Sequence, residues 1–186
     1  MISTLLAENA VLVRIFFWVA VAAFALVGWV IYRSGLNRLL LVLAVVSLAG
    51  MFALTLSPSN SPGASFCTVQ FSTPFRGIDT LANVAMTVPL ALFATLWCRR
   101  PLLLIAAVSG LSALVELLQA LAPALGRACD TDDWVMNTVG AATGALLAVA
   151  IIALRKRGET HASRTGESDR PAEHRETGTD GRYRPF

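Results

Sequence analysis

Residues 116–144 read E-L-L-Q-A-L-A-P-A-L-G-R-A-C-D-T-D-D-W-V-M-N-T-V-G-A-A-T-G. They gather a Glu, a Gln, an Arg, three Asp and an Asn around one short turn. Apolar runs at 102–121 and 134–154 flank that turn. Each has the length of about 20 residues that a helix needs to cross a ~30 Å hydrocarbon core. Neither alternates as a barrel strand would, and a lone spanning segment satisfies its backbone only as a helix. The turn therefore joins two membrane helices. Ionisable groups at the edge of hydrocarbon are costly unless paired or hydrated, so the cluster marks a candidate functional site.

The same reading extends to three earlier runs, near 12–32, 38–56 and 79–98. Over the whole chain, 55% of the 186 residues are apolar and the mean hydropathy is +0.64, values of a membrane protein. The expected fold is all-α, an integral membrane bundle of five transmembrane helices with a disordered C-terminal tail. The first run reads as a retained helix rather than a signal peptide: Glu8 precedes it, and no basic segment does. Residues 1–157 form the transmembrane domain in this reading. Residues 158–186 are rich in Glu, Arg, Thr, Gly and Pro and too poor in apolar side chains to offset the entropy of ordering. His161 and His174 fall in that tail and read as solvated rather than as metal ligands.

Charge orients the bundle. Arg33 with Arg38, Arg99 with Arg100, and Arg155-Lys156-Arg157 all fall on one side of a five-span chain. The positive-inside rule makes that side cytoplasmic, with the N-terminus outside and the C-terminus inside. Arg76 and Arg127 lie on the other side among Asp79, Asp130, Asp132 and Asp133. The R-S-G-L-N-R and C-R-R-P connections are short enough to force antiparallel pairs, whereas residues 57–78 form a long outer loop. The fourth helix should end at Pro123.

A rise of ~1.5 Å per residue places Glu116 about 10 Å below the outer surface of a ~30 Å core. By the same rise, Gln119 sits one turn shallower, and Asn83 and Asn137 each lie about 6 Å deep. Asp79-x-x-x-Asn83 opens the third span and Asp133-x-x-x-Asn137 the fifth, a spacing that puts each pair on one helix face. One reading is a polar pocket open to the outer leaflet and built to hold a polar head group. The other is interhelical hydrogen bonding, with Glu116 paired to Arg127 and the aspartates as helix caps. Gly140, Gly144 and Ala148 make a small-residue stripe suited to close helix packing. Trp29, Trp97 and Trp134 sit near span ends, as interfacial anchors do.

Cys98 falls on the reducing side, whereas Cys67 and Cys129 both fall in outer segments, where disulfides persist. Those two are expected to be bridged, drawing the long loop over the polar cluster. Two cysteines without neighbouring histidines do not complete a zinc shell, so no metal site is expected. Nothing in the chain points to a cofactor or to nucleic acid.

The string E-L-L-Q followed by G-R and D-W-V-M-N-T-V-G-A-A-T-G resembles the signature of VanZ-like membrane proteins. T-L-S-P (Thr55–Pro58) and N-V-A-M-T-V-P-L (Asn83–Leu90) extend the resemblance over roughly residues 40–150. One departure is that Leu90 and Ala91, not glycine, follow Pro89. The resemblance implies a multi-pass protein of the bacterial plasma membrane. The family is named for a protein that raises resistance to the glycopeptide teicoplanin, and no settled reaction comes with it.

Three functions compete. The first is a binder of an amphipathic cell-envelope molecule, such as a lipid-linked wall precursor or a glycopeptide. Arg127 would meet an anion, and Asp133, Asn137 and Gln119 would meet hydroxyls or amides, with Glu116, Asp79 and Asn83 completing the pocket. The second is an enzyme on a lipid head group, with Glu116 or Asp133 as general base and Arg127 as electrostatic stabiliser. The third is a transporter or accessory subunit, for which five short helices leave little room. The catalytic inventory near the cluster, without His or a Ser–base pair, favours the binder.

Overall fold

The computed structural model describes residues 9–57, 67–73, 75, 77–122 and 129–168, with side chains through Glu159. Five helices make up the fold: α1 (Ala10–Arg33), α2 (Asn37–Leu56), α3 (Ile78–Cys98), α4 (Pro101–Leu121) and α5 (Thr131–Ser168). Each contains a stretch long and apolar enough to cross a membrane. The expected all-α bundle of five spans is present, and four of its helices begin within two residues of where hydropathy places them.

The fifth differs at both ends. It starts at Thr131 rather than 134, because Asp130 Oδ1 accepts the Asp132 backbone N–H at 2.9 Å and so caps it. Asp132 and Asp133 consequently belong to the first helical turn and not to the loop before it. At the far end the helix runs past the expected boundary at 157 to Ser168. By packing, residues 1–153 form one unit and 154–186 another. In the second unit Arg155 and Glu159, one turn apart, form a 2.9 Å ion pair that supports continued helix. Residues 169–186 of the expected tail lie outside the described residues.

Within the first unit α3 is the hub. It is the least apolar of the five spans, yet the most deeply buried in protein, whereas α1 is the least buried. The least apolar helix therefore occupies the centre, where its Thr80, Thr87 and Thr95 avoid lipid, and the most lipid-exposed helices carry Leu, Val and Phe outward. A core of Ile31 and Tyr32 from α1, Leu40 from α2, Leu92 and Leu96 from α3, and Ala148 and Ile151 from α5 fills one end. Phe17, Val21, Val84, Val88 and Met136 fill the other.

The α3–α5 contact depends on glycine. A Cβ at Gly140 would collide with Thr87 Oγ1 and the Val84 carbonyl, and one at Gly144 with the Val88 carbonyl and the Leu92 nitrogen. Hydrogens in those positions instead point at α3 carbonyls, the geometry of interhelical Cα–H···O contacts. Thr87 Oγ1 adds a hydrogen bond to the Asn137 carbonyl at 2.9 Å. The segment so gripped contains Pro89, which has no N–H and leaves the Ala85 carbonyl without its helical partner. The atoms nearest Gly140 and Gly144 belong to the proline-bearing middle of α3.

Both short connections use left-handed backbone. Gly35 has φ +72°, ordinary for glycine, whereas Arg99 takes φ +58° at the end of α3. Arg99 N–H closes that end on the Thr95 carbonyl at 2.8 Å, and Pro101 then opens α4 at its first position. Arg99 and Arg33 lie over the rings of Tyr32 and Trp29, at 5.7 and 5.4 Å from the centroids. At the opposite end α4 stops at Leu121, two residues before Pro123. Pro123 itself is outside the described residues.

Candidate functional site

At the end of the bundle away from those arginines, residues 67–73 lie across the start of α5 as an extended strap. The Cys67–Cys129 disulfide anchors it, with a Cα–Cα distance of 4.5 Å across 62 residues of sequence. Thr68 N–H donates to the Cys129 carbonyl at 2.9 Å, and Thr131 N–H to the Thr68 carbonyl at 3.1 Å, forming one parallel bridge. Farther along, Gln70 N–H reaches Thr131 Oγ1 at 3.1 Å and Ser72 N–H reaches Asp132 Oδ1 at 2.7 Å. A strand-like segment with no sheet thus finds its partners in one helix terminus, which meets the requirement that backbone N–H groups be paired. Phe75, at φ +67°, then packs against Phe17 and Trp18 of α1.

Beneath the strap is a cavity of about 900 Å³ bounded by α2, α3, α4, α5 and the strap itself. Six of the seven candidate ligand-binding residues line it: Asp79, Asn83, Glu116, Gln119, Asp133 and Asn137. Arg127 is outside the described residues, as is Arg76. The strap and the α5 terminus add Gln70, Ser72, Thr73, Asp130 and Asp132, and α2 adds Thr55. Sequence reasoning missed the strap's side chains as pocket residues, although the expected Cys67–Cys129 bridge already required the residues after Cys67 to run beside the start of α5.

The polar groups are held in place by one another. Glu116, buried on α4, accepts the Asp130 N–H on Oε2 at 2.9 Å, so α4 and the start of α5 are joined through a carboxylate. Asn83 Nδ2 donates to Asp133 Oδ1, linking α3 to α5. Asn137 Nδ2 donates to Ser112 Oγ at 2.9 Å, linking α5 to α4. Gln119 Nε2 donates to the Thr55 carbonyl at 2.9 Å, linking α4 to α2. Gln70 Nε2 donates to Asp130 Oδ2. Trp134 Nε1 meets Ser109 on α4, with Oγ at 3.1 Å. The two Asp-x-x-x-Asn pairs do face one cavity, but Asn83 bonds the aspartate of the other pair rather than its own. Helix capping falls to other groups: Asp130 caps α5, and Thr80 Oγ1 accepts the Gly77 N–H at the start of α3. Neither Asp79 nor Asp133 is spent on a cap.

Interhelical hydrogen bonding and a polar cavity therefore coexist in the same side chains. Among the described residues no lysine, arginine or histidine lines the cavity, and no ion pair reaches any of its five carboxyl groups. No three His, Cys, Asp or Glu groups among them converge closely enough to hold a metal ion. Leu54 and Phe71, 63% and 73% exposed, also line it, so part of its lining is apolar and exposed.

The comparisons with known proteins bear on the whole domain. A family model described as VanZ/LLP1 matches residues 17–153, about three quarters of the chain. No curated protein and no solved structure matches it. The matched region holds the second, third and fourth membrane-spanning stretches whole and most of the first and fifth, with both bridged cysteines and every described residue of the cavity, and on that coverage the chain belongs to the VanZ/LLP1 family of membrane proteins.

Proposed function

We propose that the protein binds an amphipathic cell-envelope molecule in the strapped cavity, without transforming it. One observation supports this above the others: a cavity of drug-like volume has a polar interior built from four helices and an apolar edge at Leu54 and Phe71. A molecule with a polar head and an apolar tail matches that division. In this reading the site opens to the outer side, the N-terminus lies outside and the arginine-bearing end faces the cytoplasm. Arg127 remains the candidate contact for an anionic group of the ligand. A lipid-linked wall precursor and a glycopeptide both fit the description, and the second would couple the protein to glycopeptide susceptibility.

The test is native mass spectrometry of the purified full chain for co-isolated lipid, with Glu116→Gln and Arg127→Ala alongside. Glu116→Gln keeps the shape of the side chain and an oxygen for the Asp130 N–H, so the fold is expected to persist while lipid occupancy falls several-fold. Occupancy unchanged in both variants removes the cavity from consideration. Recovery of a chemically altered lipid turns the reading to an enzyme. Orientation is checked separately with a green fluorescent protein fused after Phe186, expected to fluoresce from the cytoplasm; a dark fusion of normal abundance reverses the topology.

A further inference from the structure

The polar interior of the cavity is unbalanced in the kind of hydrogen bond it offers. Each of its four amide side chains, Gln70, Asn83, Gln119 and Asn137, turns its NH₂ group toward an acceptor within the protein. Among the described residues, the amide oxygens and the carboxyl groups then make up the larger part of what the lining offers a ligand. Glu116, Asp132 and Asp133 each use one carboxyl oxygen for an internal hydrogen bond. Their second oxygens, and both oxygens of Asp79, take no hydrogen bond from any described group. Deeper in, Asn137 is only 3% exposed, and its Oδ1 has no partner among the described residues. A buried amide oxygen without a donor is costly, and Asn137 belongs to the lining of the cavity, so a donor from outside the chain is what would satisfy it. Carboxylates lining one cavity also repel one another, which a bound cation relieves.

We infer that the cavity selects amphiphiles whose polar end carries a protonated amine. The amine sits among Asp79, Asp133 and Glu116, with a hydrogen-bond donor of the ligand reaching Asn137 Oδ1 and the tail leaving past Leu54 and Phe71. A single metal ion suits the site less well, because among the described residues no three carboxyl groups converge on one point. An ammonium group offers donors in several directions, as an acceptor-lined space of this size requires. This inference rests on the reading of the cavity as a binding site for an amphiphile.

A matched pair of probes separates the two ideas. Sphingosine and N-acetylsphingosine share a hydroxylated head region and a backbone chain, and differ in whether the nitrogen is a charged amine or a neutral amide. Each is titrated into the purified full-length protein in maltoside detergent, with occupancy read by native mass spectrometry. Sphingosine is expected to bind at least about ten-fold more tightly. Asp79→Asn, which disturbs no hydrogen bond among the described residues, and Glu116→Gln are each expected to weaken sphingosine several-fold more than they weaken the acetylated probe. Equal binding of both probes, with each displacing the other and both lost in Glu116→Gln, overturns the amine preference and leaves the cavity reading standing. Binding of neither overturns both. Sphingosine binding indifferent to both substitutions places the amine elsewhere and overturns the inference.

Discussion

Gly144→Ala is expected to lower the unfolding temperature of the detergent-solubilised protein by roughly 5–10 °C, the consequence of overpacking by up to about 3 kcal/mol in a domain of this size. The added methyl would strike the Val88 carbonyl and come within 2.9 Å of the Leu92 nitrogen, and both are backbone atoms of the central helix. Backbone has no rotamer to retreat into, so α5 must move away from α3 as a body. Gly140→Ala should act alike through the Val84 carbonyl. Two controls fix the interpretation. At Gly110 a Cβ meets nothing within 4 Å, so Gly110→Ala should be neutral or stabilising by up to about 1 kcal/mol through helix propensity. At Gly28 the nearest atom, 3.0 Å away, is Leu96 Cδ1, the movable end of a side chain, and an intermediate loss is expected. A thermal series in which Gly144→Ala matches Gly110→Ala would dismiss the close α3–α5 approach.

Reduction of the Cys67–Cys129 bridge is the second large effect. Chain-entropy reasoning gives about 2–4 kcal/mol for an ordinary disulfide and more for a long free loop, but the chain between these cysteines, which are 62 positions apart, includes two complete helices that already restrict it. The expected loss is therefore near the lower bound, about 2 kcal/mol, or roughly 4–8 °C. Faster hydrogen exchange should accompany it at the Thr68 and Thr131 amides, whose bonds form the bridge beside the disulfide. Unfolding temperature and exchange that ignore the reductant would mean that hydrogen bonds alone hold the strap. Two free thiols at Cys67 and Cys129 in unreduced protein, counted by intact mass after alkylation, would reject the bridge outright.

Helix number and approximate bounds were legible because hydropathy and length are properties of each segment alone. So was the glycine stripe, whose spacing announces a packing face without naming its partner. The choice of Val84–Leu92 depends on α3 being central, and that follows from the bundle's arrangement rather than from any local pattern. The start of α5 was misplaced for a related reason. Thr131, Asp132 and Asp133 are as polar as a turn, and the group that makes them helical is the preceding Asp130 side chain. The continuation to Ser168 shows that a run of charge ends a membrane span without ending a helix. Clustering of Asp79, Asn83, Glu116, Gln119, Asp133 and Asn137 was readable from helix rise and topology. Their pairing was not. Asn83 could have satisfied Asp79 on its own helix, and only the tertiary arrangement gives it to Asp133. The strap was least legible, since an isolated extended segment has no periodicity of its own and borrows its partners from a helix terminus.

That borrowing also sets an order of events during biogenesis. Every group to which residues 67–73 are fastened, from Cys129 to Asp132, comes more than 55 residues later in the chain, after α3 and α4. While the chain emerges N-terminus first, the strap has nothing to hold, and Cys67 has no local thiol with which to be oxidised. Bridge formation must wait until the fourth span has crossed and the start of the fifth has reached the same side. The oxidised Cys67–Cys129 pair is thus a timestamp: a pulse-labelled chain acquires it only once insertion is nearly complete, and the chamber beneath the strap closes no earlier than that.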